Sequence, residues 1–209
     1  MNESTQTIQA PLPGGEPTRR DQQARETRAK LIETALHLFA RKGVSGTSIK
    51  DIAREAGVAQ GLLYHYFASK DDLLWGVLEA DTFLPYLKQV LSAHDACPAE
   101  DVLREAALAF DAFLQARQAR VSIVMAELQI NRRVRQMWEE NIGQESTLLD
   151  EFLRKRIASG ELRAHTVEVT TYLLMHGVVS LYLPGNTMAV SNKAAITEMA
   201  EILVQGVQA

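Results

Sequence analysis

The 209 residues include a single cysteine, only six prolines and an aromatic share of 6%. One cysteine, Cys97, cannot close an intramolecular disulfide, which suits a reducing compartment; a cytoplasmic location is expected. No apolar run reaches the ~20 residues a bilayer-spanning helix needs. The longest candidate, Tyr172 to Leu183, is interrupted by His176, Gly177 and Ser180, so no membrane partner is expected. The opening MNESTQTIQAPLPGGEPTRR has no apolar core of the kind a secretory signal carries. Catalytic patterns are missing as well: there is no phosphate-binding glycine loop, HExxH, G-x-S-x-G or CxxC. His37, His65, His94, His165 and His176 show no metal-ligand spacing with cysteine or carboxylates. The sequence supports no enzyme class, no cofactor and no metal.

Strand signals are weak, since no alternating run is followed by a hairpin dipeptide. What the chain does have is helical periodicity. Residues 1–23, with three prolines and paired glycines, read as a flexible tail. From Glu26, the residues Leu31, Ile32, Ala35, Leu36 and Phe39 recur at three- and four-residue spacing, and Gly43 ends the helix. Ser48 with Asp51, and later Ser69 with Asp72, have capping-box spacing. Ser48 opens a helix that buries Ile49, Ile52, Ala53 and Ala56 and stops at Gly57. A short helix over 60–67 follows after three residues, and Ser69 opens a long one. Further helices are expected from Pro98 to Ala116, Val121 to Leu128, Arg132 to Ala158, Thr166 to Leu183 and Lys193 to Gly206.

The net charge of −4 hides an asymmetry. Residues 1–70 hold ten Lys and Arg against seven Asp and Glu, and the remainder holds twelve against nineteen. A positive head on a negative body is the distribution expected when one part meets phosphates.

The stretch SIKDIAREAGVAQGLLYHYFASK, residues 48–70, gathers the informative features. Two short helices across a glycine-containing turn have the geometry of a helix-turn-helix, whose second helix enters the DNA major groove. At ~100° per residue, Leu63 and Phe67 of the second helix face inward, against Ile32, Phe39 and Ile52. Gly61, Leu62 and His65 face away, flanked by Gln60 and Tyr64. These outward residues suit a duplex. Gln60 can pair with adenine N6/N7, and Leu62 can pack on a thymine methyl. Gly61 clears space for a close backbone approach at a helix N-terminus, which favours anions. Tyr64, His65 and Tyr66 offer donors to phosphates, and Lys70 adds a charge. Other readings exist for several of them: Tyr64 and Tyr66 as core, His65 as a solvated residue, Lys70 as a partner of a nearby carboxylate. Arg19, Arg20, Arg25 and Arg28 either track phosphates as a basic arm or only solubilise the tail.

Residues 25–75 resemble the N-terminal domain of the tetracycline-repressor (TetR) family. The resemblance rests on IETALHLFARKG, the Thr47-Ser48 cap, DIAREAGVAQGLLYHYF and SKDDL. It implies a second motif helix that reads the major groove and C-terminal helices that dimerise around a ligand cavity. It further implies that Thr47 contacts phosphate, that Gln60, Gly61, Leu62 and His65 line the base-reading face, and that Tyr64, Tyr66 and Lys70 hold the backbone. Ser48 joins this DNA-contacting set. Leu62 departs from the family, which usually carries a polar residue there, often threonine.

The expected fold is therefore all-α. An N-terminal three-helix helix-turn-helix DNA-binding domain, residues 24–70, precedes a C-terminal helical bundle for dimerisation and ligand binding, residues 71–209. The expected partners are a palindromic double-stranded operator, a second copy of the chain and a small hydrophobic or amphipathic effector. The expected function is a repressor released by that effector; the alternative is a constitutive or architectural regulator without one. Dimer contacts are expected on Val167, Thr171, Leu174, Val178 and Leu181, and on Ile196, Met199, Ile202, Leu203 and Val207. Aromatic, methionine and isolated polar residues of the body are candidate cavity residues: Trp75, Phe83, Tyr86, Phe110, Phe113, Met125, Trp138, Tyr172, Met175 and His176. Tyr172 and His176 stand one turn apart in an apolar segment, where buried polar groups need partners.

Overall fold

The computed structural model describes residues 19–79, 82–183, 185 and 187–208. The expected tail lies outside the described residues as far as position 18. Among the described residues the chain forms ten helices and no strand, and none of the helices is long and apolar enough to cross a membrane. The first helix, α1, spans Arg19–Lys42, so positions 19–23 are helical rather than tail. Arg, Asp, Gln and Ala are compatible with a helix interior, and the last proline of the N-terminal segment precedes them at Pro17.

The short helices α2 (Ile49–Ala56) and α3 (Gln60–Tyr66) are set by local chemistry. The Ser48 hydroxyl accepts from the Asp51 N–H, and the Asp51 carboxylate accepts from the Ser48 N–H, closing the capping box. Gly57 ends α2 at φ 68°, a left-handed conformation costly for other residues. Three residues later α3 begins. The expected long helix from Ser69 is instead two: α4 (Lys70–Leu78) and α5 (Leu84–Ala93). Pro85 sits in the first turn of α5, where its missing N–H costs nothing, whereas within a continuous helix it would break the ladder.

The body continues through α6 (Ala99–Gln115), α7 (Gln118–Glu127), α8 (Arg132–Ala158), α9 (Val167–Ser180) and α10 (Asn192–Val207). Two hydrophobic cores form. The first joins Leu31, Phe39, Ile52, Leu63 and Phe67 to Leu73 and Val77 of α4 and to Ile123 and Val124 of α7. The second packs Leu87, Leu103, Leu149, Leu174 and Ile196 of α5, α6, α8, α9 and α10. α4 and α7 thus tie the head to the body. Each fully buried leucine or phenylalanine contributes roughly 1.5–3 kcal/mol, and the α3 anchors Leu63 and Phe67 draw on that term.

Candidate nucleic-acid interface and internal cavity

Leu63 and Phe67 are buried, as the helical phase predicts, and fix the inward face of α3. Phe67 is held on two sides: the Arg28 guanidinium lies 5.2 Å from its ring centre, and α4 presses against it at Gly76, where an added Cβ would stand 3.1 Å from the ring. Arg28 is exposed, as Arg19, Arg20 and Arg25 are, but its guanidinium packs on the head at Phe67. The outward face carries Gln60, Gly61 and His65, all exposed, with Leu62 at 40% and Tyr64 at 49% exposure. Tyr66 is half-buried against the head core, with its ring edge-on to His65. A Cβ on Gly61 would meet nothing within 4 Å. Nothing inside the protein requires glycine there.

Two residues assigned to phosphate by resemblance are placed otherwise. Thr47 is 2% exposed, and its hydroxyl donates to the Gly43 carbonyl at 2.8 Å; it satisfies an acceptor left at the C-terminal end of α1. The Lys70 ammonium donates to the carbonyls of Val44 and Thr47 at 2.9 and 3.2 Å. It clamps the α1–α2 loop onto the start of α4, a pairing with carbonyls rather than with the neighbouring carboxylate considered from the sequence. Ser48 remains exposed, with its hydroxyl engaged by Asp51 at 2.6 Å. These bonds hold the Asp51 carboxyl below the usual carboxylate range.

The body contains a cavity of about 90 Å³. Of the ten sequence candidates, Phe83, Phe110, Phe113 and Trp138 line it; the other six do not. Tyr86 stacks beside Phe83 but is largely exposed, and Met125 packs between the two cores. Trp75 lies on α4 under the Arg133 guanidinium at 4.1 Å. Met175 is buried in the body core. Tyr172 and His176 are not a buried pair: Tyr172 is 58% exposed, its ring stacks on His176 at 3.9 Å, and the histidine Nδ1 lies 3.1 Å from the Tyr172 carbonyl. Sequence reasoning missed Arg117, Arg120, Asn141 and Glu145, which also line the cavity. For Glu145 a signal existed. It falls in the stripe Trp138, Ile142, Leu149, Phe152 at three- and four-residue spacing, where a carboxylate is out of place.

The expected dimer contacts divide. Val167, Thr171, Leu174, Val178 and Ile196 are buried within the protomer. Gly177 does permit close helix approach, but inside the chain, against Met199 of α10. The exposed large apolar residues of α9, α10 and the segment between them share only Ile202 with the expected set; the others are Val169, Tyr172, Leu173, Leu183, Met188 and Val190.

Comparison with known proteins bears on this geometry. Residues 31–75 match the model of the bacterial regulatory proteins of the tetR family. Over those residues the chain is similar to the tetR family. The HTH-type transcriptional regulator AcrR of Shigella flexneri is 43% identical over 63 residues, 29% of either chain. The HTH-type transcriptional repressor KstR2 of Mycobacterium tuberculosis is 44% identical over 61 residues, 27% of this chain and 30% of its own. The matches thus span less than a third of these relatives' length. The whole-chain fold is similar to that of Bacillus subtilis FadR, solved with stearoyl-CoA. The TM-score is 0.68, identity is 22%, and 86% of this chain and 99% of that one are covered.

Proposed function

We propose that the protein is a dimeric, sequence-specific DNA-binding regulator that represses transcription from a palindromic operator and releases it on binding a small molecule. The outward face of α3 carries this reading: Gln60, Gly61, Leu62, Tyr64 and His65 stand exposed on a helix pinned from behind by Leu63 and Phe67. Residues 24–70 act as the DNA-binding unit, and residues 71–209 supply dimerisation and effector binding. Gln60 reads an adenine, and Leu62 rests on a thymine methyl. Tyr64, His65 and Tyr66 reach the backbone. Lys70 and Thr47 act behind them by fixing the loop before α2. Two copies pair through the apolar surface around Leu173 and Ile202, which sets two recognition helices about 34 Å apart, one DNA turn.

Effector control runs through α4 in this proposal. Its Leu78 lines the cavity, its Gly76 abuts Phe67, and its Val77 carbonyl accepts from Arg120 Nε at 3.0 Å. A ligand that displaces this end of α4 shifts the anchor of α3. A coupling of about 1–3 kcal/mol would change operator affinity roughly 5- to 150-fold.

One observation favours the constitutive alternative: the cavity is smaller than the ~150 Å³ space known to hold benzene. Operator titrations by gel shift, repeated with Gln60→Ala, test the DNA reading. Relaxed preference at one base position in the variant is the expected result, and unchanged preference removes Gln60 from base reading.

A further inference from the structure

Glu145 has an environment that the fold alone does not explain. It projects from α8 into the cavity walled by Phe83, Phe110, Phe113 and Trp138, and is only 3% exposed. Its one evident partner is the backbone N–H of Phe83, at the start of α5. The other charged residues of the cavity come from the α6–α7 corner and are already engaged. Arg117 lies 4.0 Å over the Phe113 ring and donates to the Phe113 carbonyl, while Arg120 donates to the Val77 carbonyl. Among the described residues, the Phe83 N–H alone favours its charged form, and burial pushes the carboxyl up to about 7. Such a group is expensive to keep in an apolar space unless something pairs with it. Two other buried carboxylates of the body are paired: Asp111 accepts from Tyr182 and Asn192, and Asp150 from Thr171. The rings beside Glu145 present π-faces, which attract cations.

We propose that this cavity takes the ammonium group of a compact organic cation, with Glu145 as its counter-ion and Phe83, Phe110, Phe113 and Trp138 as its wall. The inference deepens the effector reading and rests on it. The volume of about 90 Å³ sets the size, an ammonium carrying a small branched alkyl group rather than a long chain or a polycyclic body.

Three probes of one shape and different charge decide the matter: tert-butylammonium, tert-butanol and pivalate, titrated calorimetrically into the full chain at pH 8. The cation binds roughly tenfold or more tightly than the alcohol, the scale of one pKa unit of differential interaction, and pivalate binds weakest. In Glu145→Gln the cation's advantage falls to within about twofold, while tert-butanol affinity is retained. Equal or tighter binding of tert-butanol or pivalate to the native chain overturns the proposal and leaves the effector cavity standing. Survival of the cation preference in Glu145→Gln does the same. Binding of none of the three overturns the proposal and counts against the cavity as an effector site. The comparison within the native protein decides even if the variant fails to fold.

Discussion

The head and the body treat their polar groups differently. In the head, Thr47 is answered by the Gly43 carbonyl, Lys70 by the carbonyls of Val44 and Thr47, and Ser48 and Asp51 by each other. Its inner face is complete, and its unused groups lie outside, on α3. In the body, Asp111 and Asp150 are answered in the same way, but Glu145 faces a cavity with one backbone donor. Unused chemistry on the outside of a finished unit suits a macromolecular partner, and unused chemistry inside suits a small one.

The largest expected effect breaks the head. Phe67→Ala leaves a hole between Arg28 and Gly76 and should cost about 3–5 kcal/mol in denaturant unfolding, the range for buried phenylalanine. DNA binding is lost with it. A smaller effect probes the body. Glu145 has its folded pKa raised from 4.5 to about 7, so the folded state holds a proton that the unfolded chain has given up between those values. Native stability therefore falls as pH rises through that window, and glutamine, which cannot ionise, removes the loss. Glu145→Gln should melt close to the native protein near pH 4.5 and above it at pH 8, by an amount on the order of 2–3 kcal/mol. A pH-independent difference between the two melting curves would place the cost elsewhere.

Two substitutions on α3 sharpen the contrast from the other side. Gln60→Ala should leave unfolding unchanged yet lose about 1–3 kcal/mol of discrimination at one base position. Gly61→Ala is the most diagnostic for its size. The new methyl meets nothing inside the protein, and alanine is the better helix former by up to ~1 kcal/mol. The variant should melt at or slightly above the native temperature while binding operator less well. Weaker binding together with a lower melting temperature would mean that Gly61 serves the fold.

Much of this was legible in the sequence because local signals repeat one another. The capping box at Ser48, the side-chain cap at Ser69, the left-handed stop at Gly57 and the phase of Leu63 and Phe67 all act within a few residues. The failures lie where the deciding partner is distant. Lys70 reaches carbonyls 23 and 26 residues back, which no periodicity reveals. α9 is apolar on most sides, so its pattern does not say which face meets the core, and exposed Tyr172 and Leu173 look no different in sequence from buried Leu174 and Met175. Glu145 was hidden among the charges of α8, although its place in an apolar stripe marks it. The break between α4 and α5 was written at Pro85.

Selection of binding sites from random duplexes by the full chain tests the central claim most directly. The account predicts enrichment of a palindrome with half-site centres about one helical turn apart, and loss of one conserved base in each half when Gln60→Ala replaces the native protein. Recovery of sequences no different from the starting pool would contradict it.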